Sequence, residues 1–408
     1  MREQQRQPGA AGGGMGFRQF VALIAALMAV NALAIDSMLP ALPAIGQSLG
    51  IVADNDRQWI ITAYLLGFGA AQIVYGPLAD RFGRKPVLLT GLAIYTLCSI
   101  ACALAPSLDT MLLARAAQGV GAAGARVLTI SIVRDRYAGP QMARVMSLSF
   151  IVFLAVPIIA PSIGQAIVAV APWPWIFGVL ALFGALVSAW VSFRLPETLN
   201  PADRMPINPA RVARAFGAVL GHRSAVGYML AMTMMMGCIF GFINSVQQLF
   251  ADVFQAEALF PAVFALIAGF MAMASLTNAR VVVRYGSRRI CHLALLGYIL
   301  VGTVHALVAI AGQETLWSFV LLQAPLMFCF GLAVPNFGAL AMEPLGHVAG
   351  TASAVQGFVT TLGGALIGFW IGQHFDGTAI PLLTGLAACG IAALASVLYA
   401  ERGRLFSR

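Results

Sequence analysis

Twelve times along its 408 residues the chain runs through about 20 mostly uncharged apolar residues, the length an α-helix needs to cross a bilayer. The runs fall at 18–39, 58–78, 87–105, 110–133, 145–168, 174–194, 225–249, 258–280, 290–311, 316–340, 350–373 and 378–400. Their continuity argues against an outer-membrane barrel, whose strands alternate apolar and polar over roughly 10 residues. With 60% hydrophobic residues, only 10% charged and a mean hydropathy of +0.87, the chain reads as an integral membrane protein. In hydrocarbon every backbone N–H and C=O must find a partner within the protein, so the expected fold is all-α with twelve transmembrane helices.

Between the second and third runs, residues 76–85 read GPLADRFGRK. So polar a segment cannot lie in lipid and is expected to form a tight turn at a membrane face. A weaker copy follows the eighth run: Arg81-Phe82-Gly83-Arg84-Lys85 aligns with Arg284-Tyr285-Gly286-Ser287-Arg288, about half the chain later. The copy has Val283 where the first loop has Asp80. A duplication is implied, with two six-helix halves related as parallel repeats. The polar stretch 195–224 is the natural cytoplasmic linker between an N-terminal bundle, 18–194, and a C-terminal bundle, 225–400. Residues 1–17 are expected to be a disordered cytoplasmic tail and 401–408 a second tail. No small-residue cleavage pattern follows the first apolar run, so that helix is expected to remain attached.

Cations set the orientation, because arginine and lysine accumulate on the cytoplasmic side of membrane proteins. All except Arg57, Arg115 and Arg126 lie at the termini, in the linker or in the even-numbered turns. Both termini are therefore expected in the cytoplasm. The net charge of +9 is spread over these turns and forms no contiguous stripe of the kind that grips nucleic acid.

Gly76, Asp80, Arg81, Gly83, Arg84 and Lys85 fill the pattern G-x-x-x-D-R-x-G-R-K, which resembles the signature loop of major facilitator transporters. Arg115-Ala-Ala-Gln118-Gly119 resembles the R-x-x-Q-G element of proton-coupled facilitators. Pro157, Pro161 and Gly164 resemble the antiporter motif, with Ala160 and Gln165 standing where that motif has glycine. Asp36-Ser-Met-Leu-Pro40-Ala-Leu-Pro43, Leu195-Pro196-Glu197-Thr198-Leu199 and Gly350-Thr351-Ala352-Ser353-Ala354 are similar to segments of Bcr/CflA-type drug:proton antiporters. The resemblance covers residues from about 20 to 400 and implies the major facilitator fold. It also implies a bacterial inner-membrane exporter of lipophilic or cationic drugs in exchange for protons. Such a transporter works as a monomer, without a cofactor and with the proton gradient as its energy source. Two alternatives stay open: a proton-coupled transporter of one metabolite (a sugar, small peptide or amino acid), and a membrane receptor or scaffold that moves no solute.

Ionisable groups at membrane depth are expensive and by default functional. Asp36 is the only carboxylate within the twelve runs. It falls in the outer half of the first helix, where desolvation favours the neutral form and where proton and substrate could compete. Arg115, two turns into the fourth helix, is expected to face the cavity and find an acceptor, and the resemblance gives it a part in proton coupling. Arg126, three turns later, reads either as a clamp on the backbone or as a functional group. For Asp80 the resemblance implies contact with the start of the eleventh helix in the outward-open state, with Arg81 and Arg84 orienting the acid and Lys85 as a plain anchor. Pro157 and Pro161 remove backbone hydrogen bonds, and Gly164 permits close helix approach, a combination suited to gating. Met229, Met232, Met234, Met235 and Met236 cluster beside Phe240 and Phe242, an adaptable surface for varied ligands or ordinary packing. No cysteine sits with a histidine or carboxylate at metal-ligand spacing, and His305 is not expected to carry protons. Without a Walker A loop or a plausible Ser-His-Asp arrangement, the chain is not expected to be an enzyme.

Overall fold

The computed structural model describes residues 15–406, so most of the expected N-terminal tail lies outside the described residues. Twelve long helices follow one another: α1 Phe17–Asp36, α2 Trp59–Phe82, α3 Arg84–Ala103, α4 Leu108–Arg136, α5 Gly139–Val170 and α6 Pro174–Arg194, then α7 Arg223–Gln248, α8 Phe260–Tyr285, α9 Ser287–Ile310, α10 Leu316–Met342, α11 Ala349–Gln373 and α12 Ile380–Ala400. Among the described residues there is no strand. Eleven of the helices, with their short extensions, are long and apolar enough to cross a membrane; in α5 the described apolar segment is Leu154–Val170. Exposed Leu97, Leu113, Phe193, Trp317 and Leu321 lie on helix faces turned away from the core, where a bilayer would cover them.

Helix pairing displays the duplication directly. In the N-terminal half α2 packs on α4, α3 on α4 and α6, and α1 on α5; in the C-terminal half α8 packs on α10, α9 on α10 and α12, and α7 on α11. Each pair maps onto the other by adding six to its helix numbers. The halves meet through α2 against α11 and α5 against α8, two seams that the same exchange converts into each other. Glycine makes the close crossing of α2 and α4 possible: a Cβ on Gly67 would lie 2.0 Å from the Ala116 carbonyl oxygen, and one on Gly119 would lie 2.1 Å from that of Tyr64.

Two local expectations are corrected and one feature is added. First, the GPLADRFGRK segment is almost entirely helical. α2 continues through Phe82, α3 begins at Arg84, and the reversal rests on Gly83 alone, at φ 102°. Its counterpart Gly286 has φ 78°, and glycine meets no Cβ penalty at either position. Second, α1 ends at Asp36 rather than near 39. Pro40 has no N–H to offer the Asp36 carbonyl, so the chain turns through Leu39–Ala41 and starts a short helix, Leu42–Ser48, with Pro43 in its first turn. Third, the linker contains a helix, Pro209–Gly221, capped by the Asn208 side chain accepting from the Ala210 N–H and packed on α7 and α11.

Candidate functional site

Asp36 is the last residue of α1 and is only 5% exposed. Its surroundings form a space of about 160 Å³ between the halves, lined by Asn31, Pro157, Phe240, Phe242, Phe264 and Met327 among others. Among the described residues no hydrogen bond or ion pair engages the carboxylate. A carboxylate at a helix C-terminus meets the negative end of the helix dipole, so neither the helix nor a counter-ion holds it. Behind it, Gly164 of α5 approaches so closely that a Cβ there would lie 1.8 Å from the Ser37 carbonyl oxygen. Pro157, one wall of the space, and Pro161 are both accommodated inside a continuous α5.

Arg115 lines neither this space nor the wider cavity described below. It is fully buried within the N-terminal half, where its Nε donates to the Ile60 carbonyl at 3.1 Å and its Nη1 to Gln118 Oε1 at 2.5 Å. Gln118 in turn donates to Ser99 Oγ at 2.7 Å, while Nη2 of Arg115 has no hydrogen-bond partner among the described residues. The guanidinium lies 4.4 Å from the Tyr64 ring centre, and the Tyr64 hydroxyl donates to Asn31 Oδ1 at 2.9 Å. Asn31 lines the Asp36 space. Arg115 and Asp36 form no ion pair among the described residues; the Arg115–Tyr64–Asn31 chain of contacts ends at the wall of the space that holds Asp36.

The arginine-rich turns share one end of the molecule, called here the basic end. A cavity of about 530 Å³ lies there between the halves, with Phe68, Gln72, Arg126, Met236, Gln356 and Thr361 among its walls. Arg126 and Ser353 are exposed within it, so solvent enters. Asp80 and Gly350 both line this cavity, yet Asp80 bonds within its own half: Arg84 Nη1 lies 2.6 Å from its Oδ1, and Arg84 Nε lies 3.1 Å from Asp135 Oδ2. Arg84 thus binds Asp80, whereas Arg81 is exposed and has no partner among the described residues. Lys85 Nζ donates to the Ser192 carbonyl at 2.8 Å.

At the far end the halves are stitched by neutral amides. Gln58 Nε2 donates to Gln248 Oε1 at 2.6 Å and to the Gly372 carbonyl at 2.9 Å. Asn55 Nδ2 donates to the Gln373 and Phe375 carbonyls, and its Oδ1 accepts from Gln248 Nε2 at 3.0 Å. Removing the Gln58 amide with Gln58→Ala deletes two buried donor bonds worth about 1 kcal/mol each net. The expected result is faster hydrogen–deuterium exchange at 54–58 and 372–376, with exchange in α4 unchanged.

Sequence reasoning missed this stitch, since isolated Asn and Gln residues near run ends carry no distinctive spacing. It also missed the part played by Glu197, whose carboxylate accepts the Arg84 N–H at 2.9 Å and the Lys85 N–H at 3.2 Å at the start of α3. The second half has its own version, in which Arg288 bonds Glu401 at 3.0 Å and Glu343 at 3.1 Å. His305, which is not expected to carry protons, has a partner that sequence reasoning did not identify. It is buried 3.1 Å from Glu314, which lies just beyond the ninth run; the nine-residue spacing of the pair is no helical signature. Gln165, which departs from the antiporter pattern, lines a separate space of about 200 Å³ with Pro40 and Gln247.

Two helical bundles joined at two symmetric seams, with an uncompensated acid walled in between them, define a membrane transporter rather than an enzyme. The sequence pattern of the Major Facilitator Superfamily matches residues 24–368, and the chain belongs to that family. It is 30% identical to the uncharacterized MFS-type transporter YdgK of Bacillus subtilis, over 88% of this chain and 90% of that one. A bicyclomycin resistance protein homolog of Haemophilus influenzae is 28% identical, over 95% of this chain and 98% of its own. In fold, the chain matches the partially occluded inward-open xylose transporter XylE of E. coli at a TM-score of 0.74 and 11% identity, covering 96% of this chain and 98% of that one.

Proposed function

We propose that the chain exports lipophilic or cationic compounds in exchange for protons, by alternating access, as a monomer in a bacterial inner membrane with the basic end in the cytoplasm. The observation that carries this reading is the Asp36 carboxylate, buried without a counter-ion in an apolar space between the halves. A group so placed favours either a proton or a cationic substrate, and whichever occupant fits a given conformation better shifts the population toward it. The Phe and Met side chains around it suit apolar bodies of varied shape. The bicyclomycin resistance name of the Haemophilus relative supports a drug as cargo.

Asp80 and the start of α11 stand across an open cavity, and the far end is stitched shut. This geometry is compatible with an inward-facing member of the cycle in which the Asp80 contact with α11 is unmade. Everted vesicles containing the protein test the exchange. With an imposed pH gradient, acid inside, they should accumulate rhodamine 123, release protons when the dye is added, and lose both responses to a protonophore. Dye accumulation that survives the protonophore would remove proton exchange from the account.

A further inference from the structure

By sequence Arg126 reads either as a clamp on the backbone or as a functional group, and the geometry of the 530 Å³ cavity favours the second. Its charged lining residues are Asp80, Arg84, Arg126 and Arg134. Asp80 is taken up by Arg84, and Arg84 is shared with Asp135 outside the cavity lining. Neither Arg126 nor Arg134 has a hydrogen bond or ion pair among the described residues. Two guanidinium groups therefore face a solvent-entered space with no carboxylate left among its described lining residues to balance them. A free guanidinium presents a planar fork of donors that matches a carboxylate or sulfonate.

The rest of the cavity offers what an organic ligand needs. Phe68, Met232 and Met236 supply apolar wall, while Gln72 and Thr361 bond each other across the seam at 2.9 Å. Met236 stands one helical turn from Phe240, which walls the Asp36 space, so an apolar body can run along α7 from one cavity toward the other. The volume lies within the roughly 300–1,000 Å³ usual for small-molecule sites.

We infer that this cavity binds the anionic group of an amphipathic organic ligand, with Arg126 as the main contact and Arg134 at the mouth. The inference rests on the transport reading above and extends its substrate class to organic anions and zwitterions, whose cationic group, where present, is available to Asp36.

The test uses the full chain in phosphatidylcholine nanodiscs and two xanthene dyes of similar body and opposite charge, fluorescein and rhodamine 123, read by fluorescence polarisation. Arg126→Gln should weaken fluorescein binding by roughly tenfold or more and leave rhodamine 123 nearly unchanged, while Arg126→Lys retains part of the fluorescein affinity. Equal fluorescein affinity in wild type and Arg126→Gln overturns the inference, as does equal loss of both dyes or no binding of fluorescein to the wild type. A second measurement needs no variant: fluorescein should slow phenylglyoxal modification of Arg126, followed by peptide mass spectrometry, and leave Arg57 at the far end unprotected. Absence of that protection overturns it as well. Adding phosphatidylglycerol should leave fluorescein affinity unaltered; displacement would assign the arginines to a lipid headgroup instead. No pH gradient enters these measurements, so their failure is distinguishable from failure of proton exchange.

Discussion

Asp36→Asn is expected to reduce pH-driven rhodamine 123 accumulation in everted vesicles by roughly tenfold or more, a loss within the usual span of coupling free energies. The substitution keeps the size of the side chain and removes its ability to gain or lose a proton. Since no hydrogen bond or ion pair among the described residues holds the carboxylate in place, folding should survive, with a melting temperature close to that of the wild type. The decisive comparison is between driven and undriven movement. Vesicles carrying the Asp36→Asn variant should still equilibrate dye down its own gradient yet no longer respond when the pH gradient is reversed. Undiminished driven export by the variant would take Asp36 out of the coupling step.

Gly164→Ala should be the most damaging small change in the molecule. The added methyl would lie 1.8 Å from the Ser37 carbonyl oxygen, and because the obstacle is backbone, no rotamer change relieves it. Overpacking of this kind costs roughly 1–3 kcal/mol or more. Relief requires α5 to back away from the end of α1, which displaces Asp36 and the Pro157 wall together. A fall in thermal stability and a fall in transport should therefore appear in one variant. Gly76→Ala supplies the contrast, because a Cβ there meets nothing within 4 Å. Its effect on folding should be neutral or a gain of roughly 0.5–1 kcal/mol from the stiffer helix. Equal melting temperatures for Gly164→Ala and the wild type would show that α1 and α5 can separate freely.

How far the chain could be read in advance depended on what kind of signal each feature leaves. Hydrophobic runs set the twelve helices, because lipid imposes length and internal hydrogen bonding on any span. The sixth run, 174–194, coincides with α6, and elsewhere the ends moved by a few residues where polar side chains remain helical beyond the apolar stretch. Asp36 was legible because a lone acid in such a run has no soluble-protein explanation. Its place at the end of α1 was less so, since the stop is imposed by Pro40 four residues later. Arg115 illustrates a different gap: sequence placed it on α4 and expected it to face the cavity, whereas the structure turns it into the bundle interior, a matter of helix rotation that spacing alone does not fix. Packing on Tyr64, with Gln118 one turn away, decided it. Arg126 had the opposite outcome, exposed where a clamp was the alternative. The Asn55, Gln58, Gln248 and Gln373 stitch joins residues far apart in the chain, so only the assembled halves reveal it.

Because that stitch is built from uncharged amides, membrane voltage does no work on it and salt does not screen it. None of its four side chains gains or loses a proton between acidic and neutral pH. A transporter latched in this way can wait shut with no change of charge in the latch itself, leaving the decision to open to whatever occupies the interior.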